Sequence, residues 1–199
     1  FQFNSANNTL QVGVGGAPSG DLRQAKAFWL DADTLAWNAA IDGTDQLSLH
    51  ASATAELGLD LNGVTGGTDY PLVLLGELPE HLKTQFRHLS GYTAISLPNL
   101  DAHAKRQLLK AQLAISIRDQ AGKLKDATAI QTPGAIDDLF VYDGALGPVY
   151  QDDTLTTHVW APTAQQVELL LYEDSTQTEP SSVFPMQEDP ATGVWSADS

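Results

Sequence analysis

Gln46-Leu47-Ser48-Leu49-His50-Ala51 sets polar and apolar residues in strict alternation. Successive side chains of a strand point to opposite faces, so Leu47, Leu49 and Ala51 fall on one side and Gln46, Ser48 and His50 on the other. Leu57, Leu59 and Leu61 repeat the pattern, as do Leu113, Ile115 and Ile117. Period two of this kind marks half-buried antiparallel strands. Phe28-Trp29-Leu30 and Leu35-Ala36-Trp37 flank Asp31-Ala32-Asp33-Thr34, which predicts a hairpin or a bent strand. Asn62-Gly63 and Gly66-Gly67 supply turns, and Asp119-Gln120-Ala121-Gly122 turns the chain again. Further strands are expected at 92–97, 128–131, 155–161, 166–172 and around Val194-Trp195. Two short helices interrupt them. Pro79 opens one, with Leu82, Phe86 and Leu89 as its apolar stripe, and Asp101 caps the other over Ala102 to Lys110. The fold class is therefore mainly β: antiparallel β-sandwich domains with one or two short helices.

Charge narrows the function classes. The chain of 199 residues carries a formal net charge of −15, with 10 Lys and Arg against 25 Asp and Glu. Such a surface opposes nucleic acid and anionic membranes, whereas a neutral polysaccharide meets no electrostatic penalty. No apolar stretch is long enough for a membrane span. Phe1-Gln2-Phe3-Asn4-Ser5 has neither the basic nor the apolar part of a signal peptide, and the start without Met suggests a processed or excised chain. The charge is lopsided: the last Lys or Arg is Lys125, and residues 126–199 hold 13 acidic residues and no Lys or Arg, while residues 1–125 hold 12 acidic and 10 basic residues. This break places a boundary between two modules near residues 125–150. Cysteine is absent, which removes disulfides, zinc–thiolate sites and thiol nucleophiles together.

The search for chemistry is mostly negative. Gly13-Val14-Gly15-Gly16-Ala17-Pro18 approaches a dinucleotide fingerprint but has Pro18 at the third glycine position and no following βαβ unit. The five histidines (His50, His81, His88, His103, His158) are scattered and read as surface or satisfied polar groups. Asp137-Asp138 and Asp152-Asp153 are paired acids. Turn chemistry and capping is their ordinary use, and calcium ligation by Asp137-Asp138 is the alternative. Asn7-Asn8-Thr9 matches a glycosylation sequon. Trp29 and Trp37 are the candidate sugar platforms, since an exposed indole can cover the C–H face of a pyranose, against the more ordinary role of filling a core. Trp160 is expected to point inward and Val159 outward.

Leu146-Gly147-Pro148-Val149-Tyr150 and Thr156-Thr157-His158-Val159-Trp160-Ala161-Pro162-Thr163-Ala164, followed by Leu170-Leu171-Tyr172, resemble the start of the isoamylase N-terminal-like β-sandwich that precedes the barrel of α-amylase-family debranching and branching enzymes. The resemblance implies that Trp160 and Pro162 are structural or interface residues of that module. Upstream, Ala27-Phe28-Trp29-Leu30, Leu35-Ala36-Trp37, Phe86-Arg87-His88-Leu89 and Gln131-Thr132-Pro133-Gly134-Ala135-Ile136-Asp137-Asp138 resemble the pullulanase N2 domain. The order of the pieces is that of bacterial pullulanases and plant limit dextrinases.

The resemblance implies three segments: a linker or tail over 1–24, an N2-like domain over 25–143, and the N-terminal part of an isoamylase N-terminal-like module over 144–199, apparently cut short. It implies a parent glycoside hydrolase that cleaves α-1,6 branch points in pullulan, amylopectin and limit dextrins. The family's Asp nucleophile and Glu acid/base sit on a barrel and map onto no residue of this chain, so no catalytic residue is expected here. No cofactor is expected in the chain, with calcium allowed in the parent. The partners implied are α-glucan and the catalytic barrel. Secretion from a bacterium is the implied location, with cell-surface and plastid settings as alternatives. A stand-alone glucan-binding module and a protein-interaction β-sandwich are the competing functions.

Overall fold

The computed structural model describes residues 2–4, 9–11, 19–151 and 154–198. Residues 12–18, the Asn7-Asn8 part of the sequon and Asp152-Asp153 lie outside the described residues. The lead-in contributes β1 (Gln2–Asn4) and β2 (Thr9–Gln11), which pair antiparallel with Phe3 opposite Leu10.

Eight strands follow from residue 21. They are β3 (Asp21–Trp29), β4 (Thr34–Trp37), β5 (Gln46–Ser52), β6 (Gly58–Asp60), β7 (Gly63–Thr65), β8 (Thr68–Glu77), β9 (Thr93–Ser96) and β10 (Gln112–Arg118). Then comes β11 (Leu124–Gln131). Seven of these nine close into a barrel in the order β10-β11-β3-β4-β9-β8-β5, and β5 returns to β10 over the whole span from Gln46↔Arg118 to Ser52↔Gln112. The expected mainly β fold of antiparallel strands with few short helices is what forms, and in this part of the chain the sheet goes further: it curls until its edges meet. β6 and β7 form a separate hairpin lying against β10 and β11. The Asp31–Thr34 turn is the expected hairpin, with Trp29 opposite Leu35, and Asp31 Oδ1 accepts from Asp33 N and Thr34 N to shape it.

Closure decides the fate of the tryptophans. Trp29 and Trp37 have 0% and 1% of their surface exposed and sit in the barrel core with Leu35, Leu49, Ile95 and Ile115. A small barrel has an interior just wide enough to be filled by side chains, and two indoles fill much of it. Neither ring offers a face to a sugar, so the platform expectation for Trp29 and Trp37 is overturned. The Trp29 indole N–H has no partner, an uncompensated buried donor.

The helices cap the barrel from outside. α1 (Glu80–Gln85) starts after Pro79, and a 3-10 turn continues it over Arg87–Leu89. Leu82 and Leu89 pack with Leu30, Ala36, Leu78 and Ala94 in a second cluster on the barrel's outer face. α2 (Ala102–Leu108) is capped as expected, Asp101 Oδ1 accepting from Ala104 N at 2.8 Å. A third helix, α3 (Pro133–Leu139), was not expected from the sequence, although Pro133 at its first turn is a helix-start signal. Asp137 and Asp138 lie on it. Asp138 accepts from Ala32 N at 2.8 Å, tying α3 to the β3–β4 hairpin across a separation of 106 residues.

Beyond residue 146 the chain forms β12 (Gly147–Gln151), β13 (Thr154–Trp160), β14 (Glu168–Leu171), β15 (Ser182–Pro185), β16 (Gln187–Asp189) and β17 (Val194–Asp198). A four-stranded sheet runs β12-β13-β17-β16, and β14 and β15 pair separately. Met186, Trp195 and Ala197 are buried between them, with Val167, Leu169 and Phe184 packed alongside. Cross-strand partners share a face. Val159 pairs with Trp195 and Trp160 with Val194, so Trp160 lies on the face away from this core. It is 37% exposed, and its indole N–H donates to Thr192 O at 3.0 Å. The expected inward Trp160 is thereby corrected, and Trp195, 6% exposed, is the buried indole of this sheet.

Replacing Trp37 by Ala empties the barrel centre and is expected to cost about 3–5 kcal/mol in urea unfolding. Trp29→Phe, which removes the unpaired donor and little volume, costs clearly less. Equal losses would mean that the barrel centre collapses around either site.

Candidate functional site

β5, β8 and β10 are neighbours in the barrel, so their outward residues meet. His50 Nδ1 lies 2.6 Å from Asp69 Oδ1, and His50 Nε2 lies 2.8 Å from Ser116 Oγ. The carboxylate assigns the proton to Nδ1, leaving Nε2 to accept from the serine hydroxyl. By distance this is the arrangement of a Ser-His-Asp triad. Burial reverses it. Ser116 is 1% exposed and His50 2%, whereas the Asp69 side chain is 66% exposed. A nucleophile must meet substrate, and here the hydroxyl is sealed while the carboxylate faces water. The set is a buried polar ladder across three strands that leaves every member hydrogen-bonded. The scattered spacing of the histidines reads His50 as a surface or satisfied polar group, and of these two it is the second, buried on the face opposite Leu47, Leu49 and Ala51. Its contact with Ser116 depends on strand order, which no local pattern encodes.

Among the described residues no group of three His, Cys, Asp or Glu side chains converges as a metal site. The calcium reading of Asp137-Asp138 loses its geometry: the two residues are exposed on α3, and Asp138 is engaged by Ala32 N. The shifted carboxyls are all pushed down, the direction of structural pairing rather than of a proton donor. Asp21 is held at about 2, chiefly by its hydrogen bond from the Arg23 side chain. Asp45 is lowered by the Asp42 backbone N–H and then by Lys125, and Asp174 by the Thr176 hydroxyl and backbone N–H.

A second constellation lies where the barrel meets the C-terminal sheet. Lys110, just past α2, places its ammonium 2.5 Å from Glu188 Oε1 and 5.5 Å from the centre of the Trp195 ring. Glu188 and Trp195 are cross-strand partners on β16 and β17, so the cation addresses one built pair. The Lys110 and Glu188 side chains are only 11% and 16% exposed. Gln165 Nε2 donates to Ala53 O and to Lys110 O at 3.0 and 3.1 Å, a second link between the same two parts. Pro162 is buried beneath Gly193, where a Cβ would come within 2.5 Å of Pro162 Cβ and 2.9 Å of Phe140 Cδ1. Gly193 also has φ +70°, so both space and conformation require glycine there.

The described residues form a β barrel and a following β module, joined by the Lys110 and Gln165 contacts. Residues 24–138 match the pullulanase N2 domain, and residues 145–198 match carbohydrate-binding module 48, the isoamylase N-terminal domain. The chain belongs to the pullulanase N2 domain family. It is 34% identical over 183 residues to the chloroplastic pullulanase 1 of Arabidopsis thaliana, covering 89% of this chain and 18% of that protein. It is 33% identical over 176 residues to the pullulanase of Klebsiella pneumoniae, covering 86% of this chain and 16% of that protein. The crystal structure of the pullulanase PulA from Klebsiella oxytoca superimposes with a TM-score of 0.79 at 30% identity, covering 90% of this chain and 17% of that one. The maltotriose complex of the K. pneumoniae PulA G680L mutant gives 0.77 at 29% identity, covering 92% and 20%. The chain thus spans under a fifth of the length of these curated relatives.

Two outcomes follow. A fluorophosphonate serine probe is expected to leave the native chain unlabelled, and labelling lost in Ser116→Ala would give the ladder an enzymatic role. Lys110→Ala strands the Glu188 carboxylate and uncovers Trp195, with an expected cost of about 1–3 kcal/mol. Trp195 fluorescence shifts to the red in that variant, and an unchanged spectrum and melting temperature would remove Lys110 from the junction.

Proposed function

We propose that this chain is the non-catalytic N-terminal portion of a starch and pullulan debranching glycoside hydrolase, whose catalytic barrel hydrolyses α-1,6-glucosidic bonds. Residues 1–24 act as a lead-in, 25–143 as the N2-like domain and 144–199 as the module that follows it. The observation that carries this reading is the likeness to K. oxytoca PulA over 90% of the chain, barrel and C-terminal sheet together. The Lys110–Glu188–Trp195 and Gln165 contacts support a fixed arrangement of the two parts. In that role the two domains act as one prop that positions the catalytic barrel and shapes the approach of an α-glucan. A neutral glucan also suits a chain of net charge −15, which disfavours polyanions. The carbohydrate-binding module 48 match favours direct glucan contact as a second activity of the same portion. No helix of the described residues is long and apolar enough to cross a membrane. A location outside a bacterial cell is our proposal for the parent enzyme, with a cell-surface or plastid setting as the alternative, the latter matching the chloroplastic Arabidopsis relative.

The chain alone is expected to release no reducing ends from pullulan, while the longer polypeptide that carries it does. Release by the pure 21.3 kDa chain, lost in Asp137→Asn or Asp138→Asn, would overturn the division of labour.

A further inference from the structure

β8 does not run straight into its partner. Its register with β9 slips between Leu74 and Gly76, and Gly76 takes φ +100° with open space where a side chain would stand. A bulge of this kind bends the strand away and opens the sheet locally. Gly91, just before β9, is likewise open above its Cα. Between the two lies a groove of about 580 Å³ on the barrel wall beside α1. That volume falls inside the roughly 300–1,000 Å³ of small-molecule sites.

The lining has two characters. Ile41, Leu74 and Tyr92 give it an apolar side. The Tyr92 ring is held in place by an edge-on contact with Phe28, centroids 5.8 Å apart at 70°. The same lining also carries Glu77 and Lys83, paired at 3.2 Å, and Ser90 and Thr93. A pyranose has the same two characters: apolar C–H faces and a rim of hydroxyls that donate and accept together. A carboxylate beside an ammonium serves vicinal hydroxyls from both sides, the anion accepting and the cation donating. Because the charges are paired with each other, the wall favours a neutral polar ligand over an anion or a cation.

We propose that this groove is a saccharide subsite of the N2 barrel, in which Tyr92 covers the C–H face of a glucose unit and Glu77 and Lys83 hold its hydroxyls. The choice of an α-glucan over other neutral sugars rests on the debranching reading above. The site lies on the barrel and is separate from the module that carries the carbohydrate-binding match.

The test is titration of the ¹⁵N-labelled 199-residue chain with maltotriose. Saturable shifts are expected at the amides of Gly76, Gly91, Tyr92 and Thr93. Glu77→Gln, an exposed change that keeps the fold, is expected to weaken binding about tenfold with an unchanged melting temperature. Tyr92→Ala is expected to abolish binding, and its backbone spectrum reports whether the barrel is intact. Absent shifts, shifts confined to residues 147–198, or full affinity in Glu77→Gln would overturn the subsite. Pullulan hydrolysis by the longer polypeptide, measured in parallel, separates that failure from failure of the debranching reading.

Discussion

Seven strands cannot alternate in direction all the way around a ring. An antiparallel circuit closes only with an even number, so one neighbouring pair of this barrel has to run parallel. That pair is β11 with β3, the last and first strands of the barrel, through Thr128↔Asp21 and Gln131↔Phe28 with two register slips between. The strain of fitting a parallel pair is met by side chains. Thr128 Oγ1 donates to Gln24 O at 2.6 Å and accepts from Lys26 N at 3.1 Å, and Gln131 Nε2 donates to Ala25 O. Thr128 is 1% exposed, a buried hydroxyl satisfied twice by the strand it must dock. With this seam shut, the sheet has no edge left, and Trp29 and Trp37 fill the space inside.

The lopsided charge imposes a second constraint. Within the 199 residues no Lys or Arg follows Lys125, and the cation that pairs with a carboxylate of the C-terminal sheet is drawn from the earlier part of the chain. Among the described residues Lys110 is the cation that does so. Glu188 would be a poorly hydrated negative charge within a strongly negative module without it, and Trp195 would lose the cover that the lysine stem and ammonium provide. The composition break that marks a boundary is thus bridged by an ion pair across it. Lys125 serves the barrel instead, holding Asp42 and Asp45 together at 2.9 and 2.6 Å.

What could be read in advance follows from the range of each interaction. Leu47, Leu49 and Ala51 went inward as their alternation required, and Asp101 capped α2 because the cap bond spans three residues. Trp29 and Trp37 showed their strand and their turn but not the closure that buried them, which rests on pairings such as Ile115↔Leu49 across 66 residues. Trp160 failed for a related reason. Alternation fixes that Val159 and Trp160 oppose each other, yet which face receives the β14–β15 hairpin is decided by β17. α3 was missed despite Pro133, because the strand-like run before it masked a helix of seven residues.

The Ser116–His50–Asp69 ladder shows how little distance alone says about function. Its two bonds fall within the range of a working triad, and a search by separation would select it. A catalytic set exposes its nucleophile and hides the acid that orients the base, so that water is kept from the charge and substrate reaches the hydroxyl. This one exposes Asp69 and hides Ser116. Solvent around Asp69 screens its pull on the ring, and the Ser116 hydroxyl is sealed although it lies on the outer face of the barrel. The ladder bridges β5 to both of its neighbours, and its β5–β10 pairing is the longest register in the barrel, so its place is in the closure rather than in chemistry.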